Sequence, residues 1–396
     1  MVFTVEEVEN IYNASYDYAK SQDFKGYNKH DGLNSPFLRS TLGWSKWSRI
    51  FCIQAVMRFP INIRPFLLIP KTYNPKGISL FIRSLLFRYE KTNESYLLKE
   101  AEDLLLLLDR IAVCNQECQS WGYQYPWQDL GFYAKKNTPN AVVTAFVCNA
   151  FLHAYKVTHN YVYLKTVRKS IRFFFNELQV LKNTRKELCL SYMPLPMTMR
   201  VMDVSILIGS VVAEYEKLSN ISFYTEEADR LVKYVVSQQT EKGSWFYTDP
   251  KEMSPIRHDN YHTGFILDAL WSYMNAREDY SFKDEYYAGL SFYADNLFNI
   301  DGAPKWMSDK ELPYDIHGSA QGVISFSRHY DRYFNLTNKI LNWTLSNLYS
   351  GRGVFYYQKN RFYTKKINLL RWCNAWMCFA LSCYLYYYPR VEEKSC

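Results

Sequence analysis

The sequence predicts an all-α chain folded as an (α/α)6 toroid, a six-hairpin barrel with short aromatic hairpin loops at one end. Two observations predict it. Six segments share one form, with a small or polar start, an apolar body and a tyrosine near the end: "NPKGISLFIRSLLFRYEKT", "NAVVTAFVCNAFLHAYKVT", "VMDVSILIGSVVAEYEKLS", "NYHTGFILDALWSYMNA", "DIHGSAQGVISFSRHYDRY" and "CNAWMCFALSCYLYYYP". Their terminal tyrosines, Tyr89, Tyr155, Tyr215, Tyr273, Tyr330 and Tyr386, recur every 56 to 66 residues, a period that marks a repeat architecture. The second observation is that each of the first five leads into a more amphipathic segment, such as "SYLLKEAEDLLLLLDRIA" or "YTEEADRLVKYVVSQQ". Segments apolar nearly all round are buried on both sides, and segments with one charged face have one side in water.

Taken in order, "TVEEVENIYNASYDYAK" is an amphipathic helix suited to close the ring as its sixth outer member. Residues 40 to 73, with "WSKWSRIFCIQAVMRF", form an additional helix and connection, which leaves a seven-pair ring open. Residues 1–73 are thus a closing and lead-in segment, 74–388 the six inner-helix repeats and 389–396 a tail, all of one toroid domain spanning 1–396. Between pairs come aromatic stretches, "WGYQYPW", "LSYMPLP", "GSWFYTDP", "GAPKWMSD" and "GVFYYQKN", read as extended loops or short hairpins returning the chain to the next inner helix. An open solenoid needs a polar capping helix at its end, and "WMCFALSCYLYYY" has no polar face.

Composition narrows the class without naming a function. The chain has 35 Tyr and 25 Phe, filler for a core or platforms for sugar rings. Its net charge of +8 is scattered, with no run of five basic residues and no nucleic-acid-binding signature. The acidic, amphipathic N-terminus is neither a secretory nor a mitochondrial leader, and no uninterrupted apolar run reaches membrane-spanning length. Nine irregularly spaced cysteines read as reduced thiols of a cytoplasmic protein. Phosphate-loop and dinucleotide fingerprints are absent from the sequence, so no cofactor is expected.

Parallel inner helices point their N-termini toward one end of a ring, so polar residues at those starts share one funnel. They are Asn74; Asn137, Thr138 and Asn140; Arg200 and Asp203; His258, Asp259, Tyr261 and His262; Asp315, His317 and Gln321; and Arg371, Trp372 and Asn374. "GYNKHDGLNSP" adds His30 and Asp31. Aspartate and asparagine are favoured N-caps, worth about 1 kcal/mol each without any function. Histidine, tryptophan and arginine are not, so "RHDNYH", "DIHGSAQ" and "LRWCN" exceed what capping requires.

Such a set suits carbohydrate chemistry. Asp203, Asp259 and Asp315 could flank a sugar as acid and base or acid and nucleophile. His258, His262 and His317 are candidate bases near neutral pH, and Tyr261 an acid or base on a uronic acid. Arg200, Arg257 or Arg371 could grip a carboxylate, while Trp121, Trp127, Trp245, Trp306 and Trp372 could stack on sugar rings. Two carboxylates about 5 to 9.5 Å apart would mark hydrolysis. A Tyr or His base beside an arginine would mark elimination or C5 epimerisation.

With "HDNYHTGFILDAL" and "DIHGSAQGVI" at its helix starts, the chain resembles six-hairpin glycosidases and related uronate-processing toroids, including unsaturated glucuronyl hydrolases and glucuronyl C5-epimerases. Together with "NPKGISLF", these motifs are most similar to uncharacterised toroids associated with capsule and exopolysaccharide biosynthesis. That resemblance covers most of the chain and implies an acidic glycan or sugar-lipid substrate, no nucleic acid, and peripheral association with membrane-bound polysaccharide assembly machinery. "DNYHTGFIL" also resembles the zinc-histidine motif of protein prenyltransferase β subunits, and "QQTEKGSWFY" the repeats of terpene cyclases. Ser205 stands where that motif needs a cysteine, and serine is a poor zinc ligand, so no metal is expected. "HGSAQG" and "RWCNAW" faintly echo lanthionine-type cyclases, whose further Cys-His pair is missing. Three readings remain open: a glycan-active hydrolase, lyase or epimerase; an isoprenoid-handling toroid; and a non-catalytic glycan-binding or scaffold subunit.

Overall fold

The computed structural model describes residues 3–388; the tail expected at 389–396 lies outside the described residues. Helix α1 (Val5–Ser21) opens the chain, followed by short α2 (Pro36–Leu42) and α3 (Lys46–Arg58). Five helix pairs come next. They are α4 (Pro75–Thr92) with α5 (Ser95–Arg110), α6 (Ala141–Thr158) with α7 (Tyr161–Glu177), α8 (Met202–Ser219) with α9 (Thr225–Val236), α10 (Asn260–Arg277) with α11 (Lys283–Asn296), and α12 (Ile316–Ser327) with α13 (Tyr330–Leu348). A π-helical turn, Arg371–Ala375, leads into α14 (Trp376–Tyr387).

Helices α4, α6, α8, α10, α12 and α14 each pack on the next, and α14 packs back on α4, closing a ring. Each outer helix packs on the inner helix before it, while α1 packs on α14 in the sixth outer place. The fold is an (α/α)6 toroid. The seven-pair alternative does not hold among the described residues: α2 and α3 stand outside the ring, α3 lying against the Asp31–Asn34 turn and strand β3 (Trp127–Gln128).

Burial explains the two layers. Helix α8 is buried continuously from Met202 to Ala213, whereas α5 buries Leu97, Ala101, Leu104, Leu105 and Leu108 at helical spacing and turns its charges outward. Helix α6 is long and apolar enough to span a membrane by length and composition alone, but 78% of it is buried within the ring. Helices α4, α6, α8 and α10 each end on a left-handed residue, Asn93, His159, Asn220 or Glu278, with φ between 55 and 58°. That conformation stops the helix abruptly and starts the antiparallel return.

Short strands line the opposite end, where the chain re-enters the ring. They include the hairpin β3 with Tyr133–Ala134, the pair Arg200–Val201 with Thr248–Asp249, and a three-stranded ribbon of Tyr314–Asp315, Gln358–Lys359 and Thr364–Lys365. No disulfide joins the eight described cysteines.

Across the middle of the ring lies an aromatic plug. Phe146 of α6, Phe265 of α10 and Trp376 of α14 have ring centroids 5.3 to 5.5 Å apart. These three side chains come from alternate inner helices. Above them is a funnel at the helix N-termini, and below them a second cavity at the C-termini.

Candidate active site

The funnel encloses about 420 Å³. Six of the side chains expected at helix starts meet in it: Asp203, Tyr261, His262, His317, Arg371 and Trp372. Trp127 and Trp306 join them from the loops, and His30 stacks on Trp127 at 5.5 Å.

His262 is the most chemically organised of them. Its Nδ1 lies 2.7 Å from Asp259 Oδ2, so an ionised Asp259 accepts the Nδ1 proton and leaves Nε2 as the free base. Nε2 sits 4.0 Å from Asp203 Oδ2. Asp259 occupies the N-cap position of α10 but makes no capping hydrogen bond; its carboxylate serves His262 instead. Asp203 is not a cap either, because it lies inside the first turn of α8. Its Oδ1 has no hydrogen-bond partner, and burial raises its pKa, favouring a carboxyl able to donate a proton.

Asp315 is the true cap of this trio. It accepts from the His317 backbone N–H at 2.9 Å, from Trp372 Nε1 at 2.7 Å and from Gln358 Nε2 at 2.8 Å. These bonds fix the Trp372 ring at the funnel wall and remove Asp315 from candidacy as an acid or nucleophile. His317 stacks on Tyr261, centroids 4.4 Å apart, and lies 4.3 Å from Trp376. Among the described residues, neither of its ring nitrogens has a hydrogen-bond partner. Burial, then the nearby Lys76 and Arg371, push its pKa well down, so the ring is neutral.

Three basic side chains reach the funnel. Arg371 lies 4.7 Å over Trp372 and 5.8 Å over Tyr123. Lys29 Nζ lies 4.2 Å over Trp372 and 5.3 Å over Trp306. Lys76 Nζ sits on the plug itself, 3.8 Å over Phe146 and 4.3 Å over Phe265. All three are buried, and none forms an ion pair among the described residues. Burial pushes Lys29 down to about 8 and Lys76 well below the usual lysine value. Asp315 acts on Lys29 and Asp203 on Lys76 only from beyond ion-pair distance, whereas buried cations are normally paired directly with a carboxylate. The π-helical turn aims Arg371 and Trp372 inward, and a Cβ on Gly77 would come within 2.9 Å of the Arg371 side chain. Glycine in "NPKGISLF" therefore makes room for that cation.

Other expectations need correction. His258 turns outward, its Nδ1 3.2 Å from Ser308 Oγ and its ring against Phe246, and borders a separate groove. Asn74 and Asn140 spend their side-chain oxygens capping α4 and α6. Arg200 pairs with Asp249 at 3.2 Å across its strand pair. Trp245 is buried and donates to the Val235 carbonyl, as Trp121 does to Leu108, so both brace an outer helix end. Gln321 faces the opposite cavity, bonded to Asp268. Asn374 ties α14 to Ser15 of α1 and to Gly353. Arg257 is exposed and pairs with Asp309, and Asp31 is buried against Arg64 at 2.8 Å. Each has a local partner that outcompetes the funnel.

Lys29, Lys76, Tyr123, Tyr192 and Tyr247 also line the funnel, beyond the residues expected from the sequence. Lys76 carried a signal: it lies in the first turn of a helix, where the helix dipole disfavours a cation. Among the described residues, no group of three or more His, Cys, Asp or Glu side chains converges as a metal-ligand set.

No protein-family model and no curated protein matches the chain. Solved structures do. Cellobiose 2-epimerase from Bacillus thermoamylovorans aligns at 10% identity and a TM-score of 0.63, over 79% of this chain and 89% of that one. A possible GH105 family member from Salmonella enterica aligns at 11% identity and a TM-score of 0.62, over 98% and 95%. An unsaturated glucuronyl hydrolase specific for heparin aligns at 14% identity and a TM-score of 0.57, over 82% and 89%. At these identities the likeness establishes the toroid fold.

Proposed function

We propose that the protein is a carbohydrate-active enzyme that binds an acidic sugar in the funnel and moves a proton at the carbon beside its carboxylate. The observation that carries this reading is the set of three buried, unpaired cations around one Asp–His pair. A sugar carboxylate supplies the missing negative charge. Neutralised by Arg371 and the lysines, it lowers the barrier to removing the adjacent C–H proton. His262, oriented by Asp259, takes that proton at Nε2. Asp203, whose pKa burial raises, or neutral His317 is the group available to return a proton.

Elimination and epimerisation share this first step. Hydrolysis by paired carboxylates has weaker support, because Asp259 and Asp315 are committed elsewhere and the other lining aspartate, Asp129, belongs to the mouth loop. Similarity to epimerase, lyase and glucuronyl-hydrolase folds supports a carbohydrate substrate. The sequence resemblance points to a surface polysaccharide assembled from the cytoplasm. Three cations also disfavour isoprenoid cyclisation, whose cationic intermediates they would repel.

The test is solvent exchange. Uronate-containing oligosaccharides incubated with the protein in D₂O should gain deuterium at C5 or form an unsaturated uronate, and neutral oligosaccharides should not. Hydrolysis of acidic oligosaccharides without exchange, or equal binding of neutral ones, defeats the proposal.

A further inference from the structure

The toroid needs six hairpins, and α2 and α3 belong to none of them. Between residues 44 and 68 this extra element leaves six large apolar side chains more than 60% exposed: Trp44 (77%), Trp47 (68%), Phe51 (66%), Ile61 (63%), Phe66 (84%) and Leu68 (69%). Helix α3 is apolar on two sides. Cys52, Ile53 and Val56 face the protein, while Trp47 and Phe51, one turn apart, form a solvent-exposed stripe. Patches of this kind on a folded surface mark an interaction site.

The charge around them is one-sided. Residues 32–89 contain nine Lys and Arg and not one Asp or Glu, although the whole chain carries only +8. Arg39, Lys46 and Arg58 stand exposed among the apolar tips. A second acid-free stretch adjoins the first: Lys365, at the base of the 358–365 hairpin, donates through Nζ to the Met57 carbonyl of α3. That hairpin tip carries Arg361 and Phe362, the latter 90% exposed.

We propose that α2, α3 and the 358–365 hairpin form a docking face that seats the protein on an anionic lipid surface. Tryptophan and phenylalanine enter the boundary between headgroups and acyl chains, while lysine and arginine meet the lipid phosphates. A second copy of the chain is the poorer occupant, because a two-fold contact would set this basic patch against itself. Ile53 and Gln54 on the inner side of α3 line the funnel, so docking brings the funnel wall to the bilayer. A lipid-linked glycan would meet the site there, a consequence that rests on the funnel being a glycan site; the docking itself does not.

Vesicle co-sedimentation without any sugar tests the docking alone. The full chain should pellet with vesicles of phosphatidylcholine and phosphatidylglycerol, far less with phosphatidylcholine alone, and less as salt rises. The triple variant Trp44→Ser/Trp47→Ser/Phe51→Ser should bind more than tenfold more weakly, and Lys46→Glu/Arg58→Glu should lose the preference for anionic vesicles. Tryptophan emission of the unmutated protein should shift to the blue on adding vesicles, a readout independent of any variant's folding. The proposal is overturned if the unmutated protein stays in the supernatant with anionic vesicles, or if both variants bind as it does. It is equally overturned if sedimentation velocity without lipid finds a dimer that the triple variant dissociates.

Discussion

The two cavities of the ring are built from the same six helices and separated by one layer of aromatic side chains, yet their charges are arranged in opposite ways. Below the plug most cations have carboxylate partners, Arg83 over the Phe379 ring being the exception. Arg328 pairs with Asp268 at 2.9 Å, Gln321 and Ser325 bond to the same aspartate, and Lys156 pairs with Glu214. Above it, Lys29, Lys76 and Arg371 rest on aromatic faces with no carboxylate at ion-pair distance among the described residues. Helix C-termini suit cations and N-termini repel them. The lower cavity therefore holds Arg328 where the backbone favours a cation and pairs both it and Lys156 with carboxylates. The upper one holds its positive charge against the backbone's preference. Charge kept at a cost in stability, beside a base with an orienting carboxylate, is the feature on which the proposed glycan site rests.

Variants on either side of the plug put this contrast to the test. The largest expected effect is on turnover: His262→Ala should lower the rate of proton exchange roughly a hundred- to ten-thousand-fold, with little change in melting temperature. Asp259→Asn should lower it less and alter the pH profile, because it acts through His262. Next, Phe265→Ala removes a third of the plug and joins the cavities. A loss of about 3–5 kcal/mol in denaturant unfolding is expected, with weaker binding of acidic sugar as the Lys76 support goes.

Asp268→Asn strips the lower cavity of its central acceptor. Stability should fall by about 2 kcal/mol while exchange activity at the upper end is unchanged; a parallel loss of activity would mean that the ends are coupled. The smallest effect is on pH dependence. Lys29 titrates at about 8 in the folded protein against 10.5 ordinarily, so between those values the unfolded chain binds the extra proton and stability rises with pH. Lys29→Met should remove up to about 1.4 kcal/mol per pH unit of that rise, read as the difference between the two proteins in urea titrations from pH 7 to 10.

How much of this was legible in the sequence depends on the range of the interaction. The six inner helices could be read because burial on both sides writes itself into every residue of a segment such as Met202–Ala213. Helix starts could be read from "HDNYHTGF" and "DIHGSAQG". What each polar residue does there could not. His258 and His262 lie four positions apart in one motif, and one faces the outside while the other faces the axis, because His258 precedes the first helical turn. Asp259 and Asp315 occupy equivalent cap positions, but only Asp315 caps. Lys29 comes from outside the repeats, and nothing local links it to Trp306 or Trp372.

By itself the sequence determined the ring: repeat length, the alternation of buried and half-solvated helices, and the end at which polar residues gather. Those properties arise from periodicity along one segment at a time. Tertiary structure alone decided which of the gathered residues share the funnel. Side-chain direction turns by about 100° per helical residue, so a small rotation set by neighbouring helices sends a histidine to the axis or to solvent. Competing partners settle the rest. The carboxylates of Asp31, Asp268 and Asp315 are satisfied locally, and the cations of the funnel, packed on aromatic rings far apart in sequence, are left for a ligand.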